Sequence, residues 1–384
     1  MEKVTLDVET VTPLFIAGAD QRNIKSEGLR ASSLRGLMRW WFRAILGGVM
    51  FSSGSLNIKE IKEKEERIWG SPNEKSKVAI NVLNTHVDIK FLQNIRNKRG
   101  MYYLAYGVLN RPYIEGKFKI NFLFNSNIHE EDKRKVIATF WLLLNLGGIG
   151  SRNRRGFGSL RIINNTKIYG IDFRNPNNLN ELEIYLKSNI KECLKSFGWN
   201  GFANISTNLP IFPIITRNFW KMKILNKSYS TNINAIDDIG TIIRQYREDR
   251  DNPSAKHRRK GYIYWVTKDY TAVKNIYTSR PPKTPPGSIF GLPHQFQFQS
   301  INEKAIVKGI KHDRRASPLH IKIWKLDERK FIVGLQLFKA IFLPENKLQI
   351  SDLRNEKIKA NVNLPSYGYI EEFLDSLSGR WILL

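Results

Sequence analysis

Residues 148–160 read GIGSRNRRGFGSL and connect a helix-like stretch at 130–146 with a strand-like stretch at 158–168. Glycine permits positive φ angles and a close approach of the backbone to a ligand. Arginine makes charge-assisted, often bidentate contacts with phosphate. The segment therefore predicts a phosphate-binding loop built from two Gly-x-Gly pairs and the polar residues between them, namely Gly148, Gly150, Gly156, Gly158, Arg152, Asn153, Arg154 and Arg155.

The alternative for this loop is a tight helix-to-strand connection whose arginines are only solvated. No Gly-Lys-Ser/Thr follows, which excludes a P-loop, and the third glycine of a dinucleotide fingerprint is missing. Phe157 could stack a base, but an aromatic residue between two glycines more often anchors its loop in the core. We therefore expect Phe157 to be buried.

The segments around the loop predict a βαββαβ order with insertions. We expect strands at 3–11, 77–88, 101–108, 117–124 and 158–168 and helices at 59–68 and 130–146. Another helix is expected to begin at Ser32 or Ser33, to run to about Leu46 and to be stopped by Gly47 and Gly48. The fold class predicted for this half is α+β, of the ferredoxin-like type that many RNA-binding modules share.

The second half predicts further mixed structure beyond an Asn-rich boundary at 174–180. Helices are expected at 181–197, 235–248 and 367–377, strands at 261–267, 318–326 and 331–343, and an exposed basic loop at 249–260. The pentapeptides at 33–37 (SLRGL) and 288–292 (SIFGL) echo each other and suggest two related domains. We place the domains at 1–172 and 173–384.

The charge of the chain points to a polyanionic partner. Lys and Arg number 62 against 35 Asp and Glu, which gives a formal net charge of +27. The longest apolar run, 136–150, is too short to span a bilayer, so nucleic acid is favoured over a membrane. The N-terminus reads as a strand and not as a signal peptide. A single cysteine, Cys193, allows neither an internal disulfide nor a Cys-based zinc site, which fits a cytoplasmic protein.

Further basic groups extend the predicted contact surface. Arg35, Arg39 and Arg43 are spaced to form one stripe on the first helix, with no carboxylate at i±4. The other candidates precede this helix or lie in the basic stretches 280–287 and 311–315 of the second half, and they are Arg22, Lys25, Arg30, Lys283, Arg314 and Arg315. Solvated surface charge is the alternative for all of them.

The sequence offers no clear catalytic or metal site. None of the six histidines lies in the glycine loop or the first helix, and no metal-binding spacing is present; they are His86, His129, His257, His294, His312 and His320. The pair Asp237–Asp238 is expected to cap a helix, and Asp20 alone is weak evidence for an acid. We therefore expect no cofactor, no metal and no catalysis.

The quoted residues resemble the RAMP superfamily of CRISPR proteins. The superfamily's pattern of Gly-hydrophobic-Gly, five residues and Gly-hydrophobic-Gly is matched by 148–158. The stretches TPLFIAGAD and LRASSLRGLMRWWFRAIL, at 12–20 and 29–46, look like the first subunit of the type III-B CRISPR (Cmr) complex. The resemblance implies two ferredoxin-like domains, binding of CRISPR RNA and target RNA, and assembly with the backbone subunit and the other capping subunit. It also implies a non-catalytic position near the 3′ end of the CRISPR RNA.

Two other functions stay open at this point. The first is a RAMP-type, metal-independent endoribonuclease that processes CRISPR RNA precursors. Those enzymes usually carry their glycine-rich loop near the C-terminus, whereas here it lies mid-chain. The second is a general RNA chaperone or ribosome-associated protein, which would bind RNA without partner subunits.

Overall fold

The computed structural model describes residues 1–16, 28–54, 56–93, 95–201, 207–252, 255–259, 262–355 and 357–384. Its helices are α1 (Ala31–Ser52), α2 (Ile58–Trp69), α3 (Arg99–Leu104), α4 (Glu130–Leu146), α5 (Leu179–Ser196), α6 (Asn232–Arg247), α7 (Lys268–Lys274) and α8 (Gly368–Asp375). Short 3-10 helices lie at Ile95–Asn97, Asn275–Tyr277 and Pro286–Phe290. The strands are β1 (Glu2–Thr10), β2 (Val78–Lys90), β3 (Tyr113–Phe124), β4 (Leu160–Ile162), β5 (Thr166–Ile168), β6 (Ile171–Phe173), β7 (Trp220–Tyr229), β8 (Lys256–Arg259), β9 (Tyr262–Trp265), β10 (His294–Phe298), β11 (Glu303–Gly309), β12 (Leu319–Asp327), β13 (Lys330–Phe338), β14 (Lys347–Asp352), β15 (Lys359–Asn363) and β16 (Gly379–Ile382).

The first sheet has the strand order β2-β3-β1-β4, and its neighbouring strands are antiparallel. The helices α1 and α4 provide the crossovers, after β1 and after β3. This is the ferredoxin-like arrangement that the order of elements predicted. Alternate residues of β1, including Leu6 and Val8, are buried in the core with the apolar face of α4. The prediction of the fold class is confirmed.

A second sheet repeats the same strand order. Its strands are arranged β12-β13-β7-β16, and along the chain they alternate with helices as β7, α6, β12, β13, α8 and β16. Long insertions separate α6 from β12 and β13 from α8, so local sequence patterns alone do not reveal this repeat. The chain therefore carries two ferredoxin-like sheets.

Close packing divides the chain into two compact units. Unit 1 comprises 1–240, 320–338 and 378–384, and it contains both ferredoxin-like sheets apart from Leu319, the first residue of β12. Unit 2 comprises 241–319 and 339–377, and it contains an antiparallel sheet of order β10-β11-β14-β15. The proposed domain limits, 1–172 and 173–384, remain a prediction about which regions fold independently.

Helix α5 begins after residue 172 but packs against α4. Cys193 is fully buried there, with its Sγ 3.6 Å from the carbonyl oxygen of Ala138, and burial raises the pKa of its thiol well above the usual range. Arg134 of α4 pairs with Glu192 of α5 at 3.2 Å. Cys193 thus acts as a small apolar core residue.

The predicted stop of the first helix is wrong. Helix α1 continues through Gly47 and Gly48 to Ser52. A Cβ on Gly48 would lie 1.9 Å from the carbonyl oxygen of Ile215, and the Ile215 N–H donates to the carbonyl of Ala44 at 2.9 Å. The close approach of this segment explains the glycine inside the helix. The N-cap is Arg30, without a side-chain hydrogen bond, and the two serines offered as caps lie inside the helix.

Other predicted elements also differ from the structure. Residues 101–108, expected as a strand, form the end of α3 and the turns after it. The strand expected at 158–168 is divided into β4 and β5, and β5 forms a hairpin with β6. Within the basic stretch 249–260, residues 256–259 pair as β8 with β9 instead of forming a loop.

Candidate nucleic-acid interface

The glycine loop, residues 147–158, connects the end of α4 to β4. Gly150, Gly156 and Gly158 have φ angles of 81°, 85° and 65°. A Cβ on Gly158 would lie 1.8 Å from the carbonyl oxygen of Ile149, and one on Gly150 would lie 2.4 Å from that of Phe15. The protein's own backbone therefore requires these glycines. The contact between these glycines and phosphate stays a prediction, because the packing explains the glycines without it and is compatible with it.

Backbone hydrogen bonds hold the loop against the start of the chain. The Ile149 N–H donates to Gly158 (2.9 Å), the Ser151 N–H to Phe15 (2.7 Å) and the Gly158 N–H to Pro13 (3.0 Å). Phe157 is fully buried, with its ring centroid 5.4 Å from that of Phe15. The expectation that Phe157 anchors the loop in the core is confirmed. A loop fixed in this way presents its polar side chains in one arrangement.

Side chains of the second sheet satisfy the carbonyl groups at the end of α4. Lys322 of β12 donates to Leu144 (2.6 Å) and Gly147 (3.0 Å). Trp324 donates to Asn145 at 3.0 Å and Gln336 to Leu146 at 2.6 Å. The last carbonyls of a helix lack intrahelical partners, so these donors complete them. Because all three donors lie more than 170 residues from their acceptors, sequence patterns gave no sign of them.

Lys322 itself is a fully buried lysine. Its Nζ also lies 3.5 Å from the carbonyl oxygen of Leu160, at the start of β4. Burial lowers the pKa of Lys322 to about 7, while the carbonyl acceptors favour its charged form. A cation at a helix C-terminus is also favoured by the helix dipole. Lys322 therefore contacts both the start of the glycine loop, at Gly147, and the strand that follows its end, at Leu160.

The three arginines of the loop have different neighbours. Arg152, itself at a φ of 62°, donates to the carbonyl of Tyr106, and Arg155 reaches that of Tyr103 at 3.5 Å. Arg154 lies with its Cζ 5.6 Å from the ring centroid of Trp40, within range of a cation–π contact. The side chain of Asn153 donates to the carbonyl of Gly148 at 3.1 Å.

Positive charges are crowded around Arg152. Burial and, to a smaller extent, the charges of the neighbouring Arg155 and Arg111 together lower the pKa of Arg152 to about 10. At neutral pH the guanidinium nevertheless stays charged, because its pKa is still well above 7. Like charges held this close attract a polyanion. Arg111 was absent from the predicted site, since it is remote from the loop in sequence.

A cavity of about 250 Å³ lies on the side of the loop that carries Arg154. It is lined by residues of α1, of the loop and of β12, namely Gly36, Leu37, Trp40, Trp41, Arg43, Leu146, Gly147, Gly148, Asn153, Arg154 and His320. In the sequence His320 lies in the second half of the chain, far from the loop, but the structure brings it to the loop. It is 6% exposed, and its Nε2 has no hydrogen-bond partner among the described residues.

The imidazole of His320 is held in its neutral form. Its ring centroid lies 4.8 Å from that of Phe338 and 5.7 Å from that of Trp40. Burial and the charge of Arg154 place the pKa of His320 well below its usual value of 6.5. The cavity thus combines an aromatic face, a guanidinium and a neutral imidazole.

The arginine stripe of α1 has no carboxylate at i±4, as its sequence shows, but it is partly paired with a carboxylate from another helix. Arg39 and Arg43 both donate to Glu65 of α2, and the distances from Arg43 Nη1 to the two carboxylate oxygens are 3.0 and 3.1 Å. The Glu65 side chain is only 4% exposed. Arg35 reaches the carbonyl of Val78 at 3.5 Å. One of the two charges next to Glu65 is therefore offset by its carboxylate.

Six further residues considered in the sequence are either not described by the structure or belong to unit 2. Arg22, Lys25 and Asp20 fall outside the described residues. Lys283, Arg314 and Arg315 belong to unit 2, where the first two are exposed and Arg315 lies over the ring of Phe342 at 5.7 Å.

The acidic pair of α6 does not cap its helix. Asp237 accepts a hydrogen bond from the N–H of Met101 at 3.0 Å. Asp238 accepts from the hydroxyl of Tyr229 at 2.7 Å and from Lys227 at 2.9 Å. Both aspartates are inside α6, which begins at Asn232, so they do not cap that helix; Asp237 instead satisfies an N–H in the first turn of α3. Within the described part of the chain, no group of three or more His, Cys, Asp or Glu side chains is placed to hold a metal ion.

Comparison with known proteins identifies the family. The profile of the RAMP superfamily matches residues 7–161, which include the glycine loop. The CRISPR system Cmr subunit Cmr1-2 of Pyrococcus furiosus is 33% identical over 189 residues, or 42% of this chain and 96% of the relative. The chain belongs to the Cmr1 family of the RAMP superfamily. A second member from the same organism, Cmr1-1, is 25% identical over 347 residues and matches 88% of each chain.

Solved structures show that the Cmr1-family fold extends over the whole chain. The crystal structure of Cmr1 from Pyrococcus furiosus in its apo form gives a TM-score of 0.62 at 19% identity, covering 99% of this chain and 98% of that one. A chain of the type III-B Cmr-beta complex bound to cognate target RNA gives 0.54 at 15% identity, with 89% and 96% covered. At these identities the likeness concerns the fold. Across the described ranges, no helix of this Cmr1-family chain has the length and apolarity needed to cross a membrane.

Proposed function

We propose that the protein is a non-catalytic, RNA-binding subunit of a type III-B CRISPR (Cmr) effector complex. In this proposal it binds CRISPR RNA and target RNA near the 3′ end of the CRISPR RNA, next to the backbone subunit and opposite the other capping subunit, in the cytoplasm. Support comes from membership of the Cmr1 family and from the relatives named as Cmr subunits. A similar fold occurs in a complex described as bound to cognate target RNA.

The observation that carries RNA binding is the seating of the loop arginines. Arg152 and Arg155 rest on backbone carbonyls, next to Arg111. A carbonyl occupies only part of the five N–H donors of a guanidinium and does not cancel its charge. Because the seat fixes the side chain, less conformational entropy is lost when a phosphate binds. This arrangement suits a phosphate backbone better than a freely solvated surface arginine does.

The cavity beside Arg154 gives the proposed site a second element. Trp40 and Arg154 offer surfaces on which a base could stack, and the free Nε2 of His320 and the amide of Asn153 offer polar contacts. We propose that one nucleotide of the RNA enters here. The other basic residues predicted from sequence, Arg22, Lys25, Arg30, Arg35, Arg39, Arg43, Lys283, Arg314 and Arg315, remain proposed contacts, as do the limits of the two domains.

The test is the salt dependence of RNA binding by the purified full chain. Combining Arg152→Ala, Arg154→Ala and Arg155→Ala should weaken binding and flatten the log–log salt slope by about 2, at ~0.7 for each lost phosphate contact. The matched control removes three exposed lysines of α2 that pair with glutamates one turn away, Lys59, Lys62 and Lys64. An unchanged slope in a folded loop variant would remove the loop from the contact surface.

The complex itself is tested by recovery from the native cells. A tagged copy should bring down guide-length CRISPR RNA together with other RAMP subunits. Bulk ribosomal or messenger RNA without RAMP partners would contradict the CRISPR proposal and favour a general RNA-binding protein.

One observation keeps the endoribonuclease as a second candidate. His320 lies beside Arg154 of the loop, where a general base could meet a phosphate. A pKa held well below 6.5 makes His320 a poor base, so we favour binding without catalysis. Metal-free incubation with a CRISPR RNA precursor decides the point, because cleavage that disappears in His320→Gln would establish the enzyme.

A further inference from the structure

Two exposed tyrosines belong to the segment whose backbone carbonyls accept hydrogen bonds from the loop arginines. Tyr102 in α3 is 50% exposed, and Tyr106 in the turn after it is 66% exposed. Aromatic rings are usually at least partly buried, because each carries a large apolar surface. Two such rings four residues apart, on a protein with a net charge of +27, suggest a surface that is covered by a partner.

The segment that carries these rings is firmly anchored in unit 1. Met101 is buried, and its backbone N–H donates to Asp237 of α6 at 3.0 Å. Lys98 donates to Asn234 of the same helix at 3.0 Å. A Cβ on Gly240 would lie 2.2 Å from the carbonyl oxygen of Gly100, so the two helices approach closely. The tyrosines therefore sit on a platform whose backbone is fixed.

The same segment forms the seat of the loop arginines. Arg152 donates to the carbonyl of Tyr106, and a Cβ on Gly107 would lie 2.7 Å from Arg152 Nη2. Arg155 reaches the carbonyl of Tyr103, the residue after Tyr102. The segment that carries the exposed aromatic rings thus also provides the carbonyls on which the loop arginines rest. That combination is the usual one for single-stranded nucleic acid, where bases stack on rings and cations follow the backbone.

We propose that Tyr102 and Tyr106 stack unpaired bases of an RNA strand whose phosphates lie on Arg152 and Arg155. The inference rests on the proposed function and adds the class of ligand at this site, which is single-stranded RNA with accessible bases. Duplex RNA does not fit, since its bases are stacked on each other and unavailable to the rings. Stacking on a ring tolerates any base, so this surface binds without sequence preference.

The experiment measures binding of the full chain to a single-stranded RNA and to a polyphosphate of similar charge. Tyr102→Ala with Tyr106→Ala removes two stacking rings and should weaken RNA binding by roughly thirtyfold or more, and it should leave polyphosphate binding and the salt slope unchanged. Replacing both tyrosines by phenylalanine keeps the rings and should preserve binding. The control is Phe91→Ala, which removes a ring that is 57% exposed in another part of unit 1.

The outcomes separate the inference from the proposed function. RNA binding of wild-type strength in the double alanine variant overturns the stacking. An equal loss on RNA and polyphosphate overturns it too, because the tyrosines would then act only by seating the arginines. Loss of assembly with other subunits, without loss of RNA affinity, would make the surface a protein interface instead. If the wild-type chain binds no RNA, the proposed function fails first.

Discussion

Two groups of three arginines look alike in the sequence but differ in their surroundings. On α1, Arg39 and Arg43 share the carboxylate of Glu65, which comes from α2. In the glycine loop, Arg152 and Arg155 rest on backbone carbonyls and Arg154 lies over an indole ring. The first group is thus largely part of the packing between two helices. In the second group, the contacts of Arg152 and Arg155 with carbonyls and of Arg154 with an indole ring are contacts with neutral groups.

This contrast shows what a basic stretch can and cannot reveal. Spacing predicts that residues at i, i+4 and i+8 share a helix face, and this holds for the stripe. It does not predict which distant carboxylate faces that stripe. A buried glutamate next to arginines contributes to stability, whereas arginines on carbonyls remain available to an anion. We therefore expect substitutions in the two groups to affect different properties.

The largest effect expected on the loop side is on stability, through Lys322. Lys322→Met removes the ammonium that completes the carbonyls of Leu144, Gly147 and Leu160. Buried acceptors without donors are costly, so we expect a loss of roughly 3–5 kcal/mol in the free energy of unfolding. Denaturant unfolding measures it. Lys325→Met on the same strand, which breaks a pair with the exposed Glu328, should cost less than ~1 kcal/mol. Equal stability of the two variants would contradict the role of Lys322.

The next prediction tests the contrast directly. Combining Arg39→Ala with Arg43→Ala leaves Glu65, whose side chain is 4% exposed, without its two cations. We expect a loss of about 2–3 kcal/mol in stability, discounted because both arginines are partly exposed. The salt slope of RNA binding should change less than in the loop variant. A stable double variant with a strongly flattened slope would show that the stripe, too, is an RNA contact.

Residues 101–108 show a helical pattern in the sequence, although they were predicted to form a strand. In residues 101–108 the buried positions are Met101, Leu104, Ala105 and Val108, a spacing of i, i+3, i+4 and i+7. That is the helical period, yet the aromatic residues between these positions favoured a strand prediction.

The βαββαβ order of the first half and its glycine loop could be predicted, because helices, strands and turns there follow one another with short insertions.

The missing parts of the site depend on contacts between distant residues. Gly48 stays inside α1 because Ile215 approaches it, and nothing near Gly48 indicates this. His320 and Lys322 reach the glycine loop from a strand that begins more than 150 residues later. Such partners follow only from the pairing of the two sheets, which local patterns do not encode. The loop was therefore predictable as a feature, and its surroundings were not.

A smaller effect on the free energy of unfolding is expected when the pH is lowered, through His320 in the cavity beside the loop. The pKa of His320 is well below 6.5 in the folded protein, so the unfolded chain binds more protons at low pH. Stability then falls as the pH drops below 6.5, by at most about 1.4 kcal/mol per pH unit for this one group. The charge of the neighbouring Arg154 acts in the same direction, because it also disfavours the protonated imidazole. His320→Gln should lose this part of the dependence when urea unfolding is compared at pH 7 and pH 5, and identical pH profiles would contradict the burial of a neutral imidazole.

The smallest effect comes from Gly36, which faces the same cavity from α1. A Cβ there meets no atom within 4 Å, and glycine inside a helix is less favourable than alanine. Gly36→Ala should therefore raise the free energy of unfolding by up to ~1 kcal/mol. If a nucleotide enters the cavity, Gly36→Leu, which places a larger side chain at its wall, should weaken RNA binding while the protein remains folded. Wild-type affinity in that variant would mean that the RNA contacts only the side of the loop that carries Arg152. Of the three loop arginines, only Arg152 and Arg155 would then differ from the α1 arginines by binding RNA.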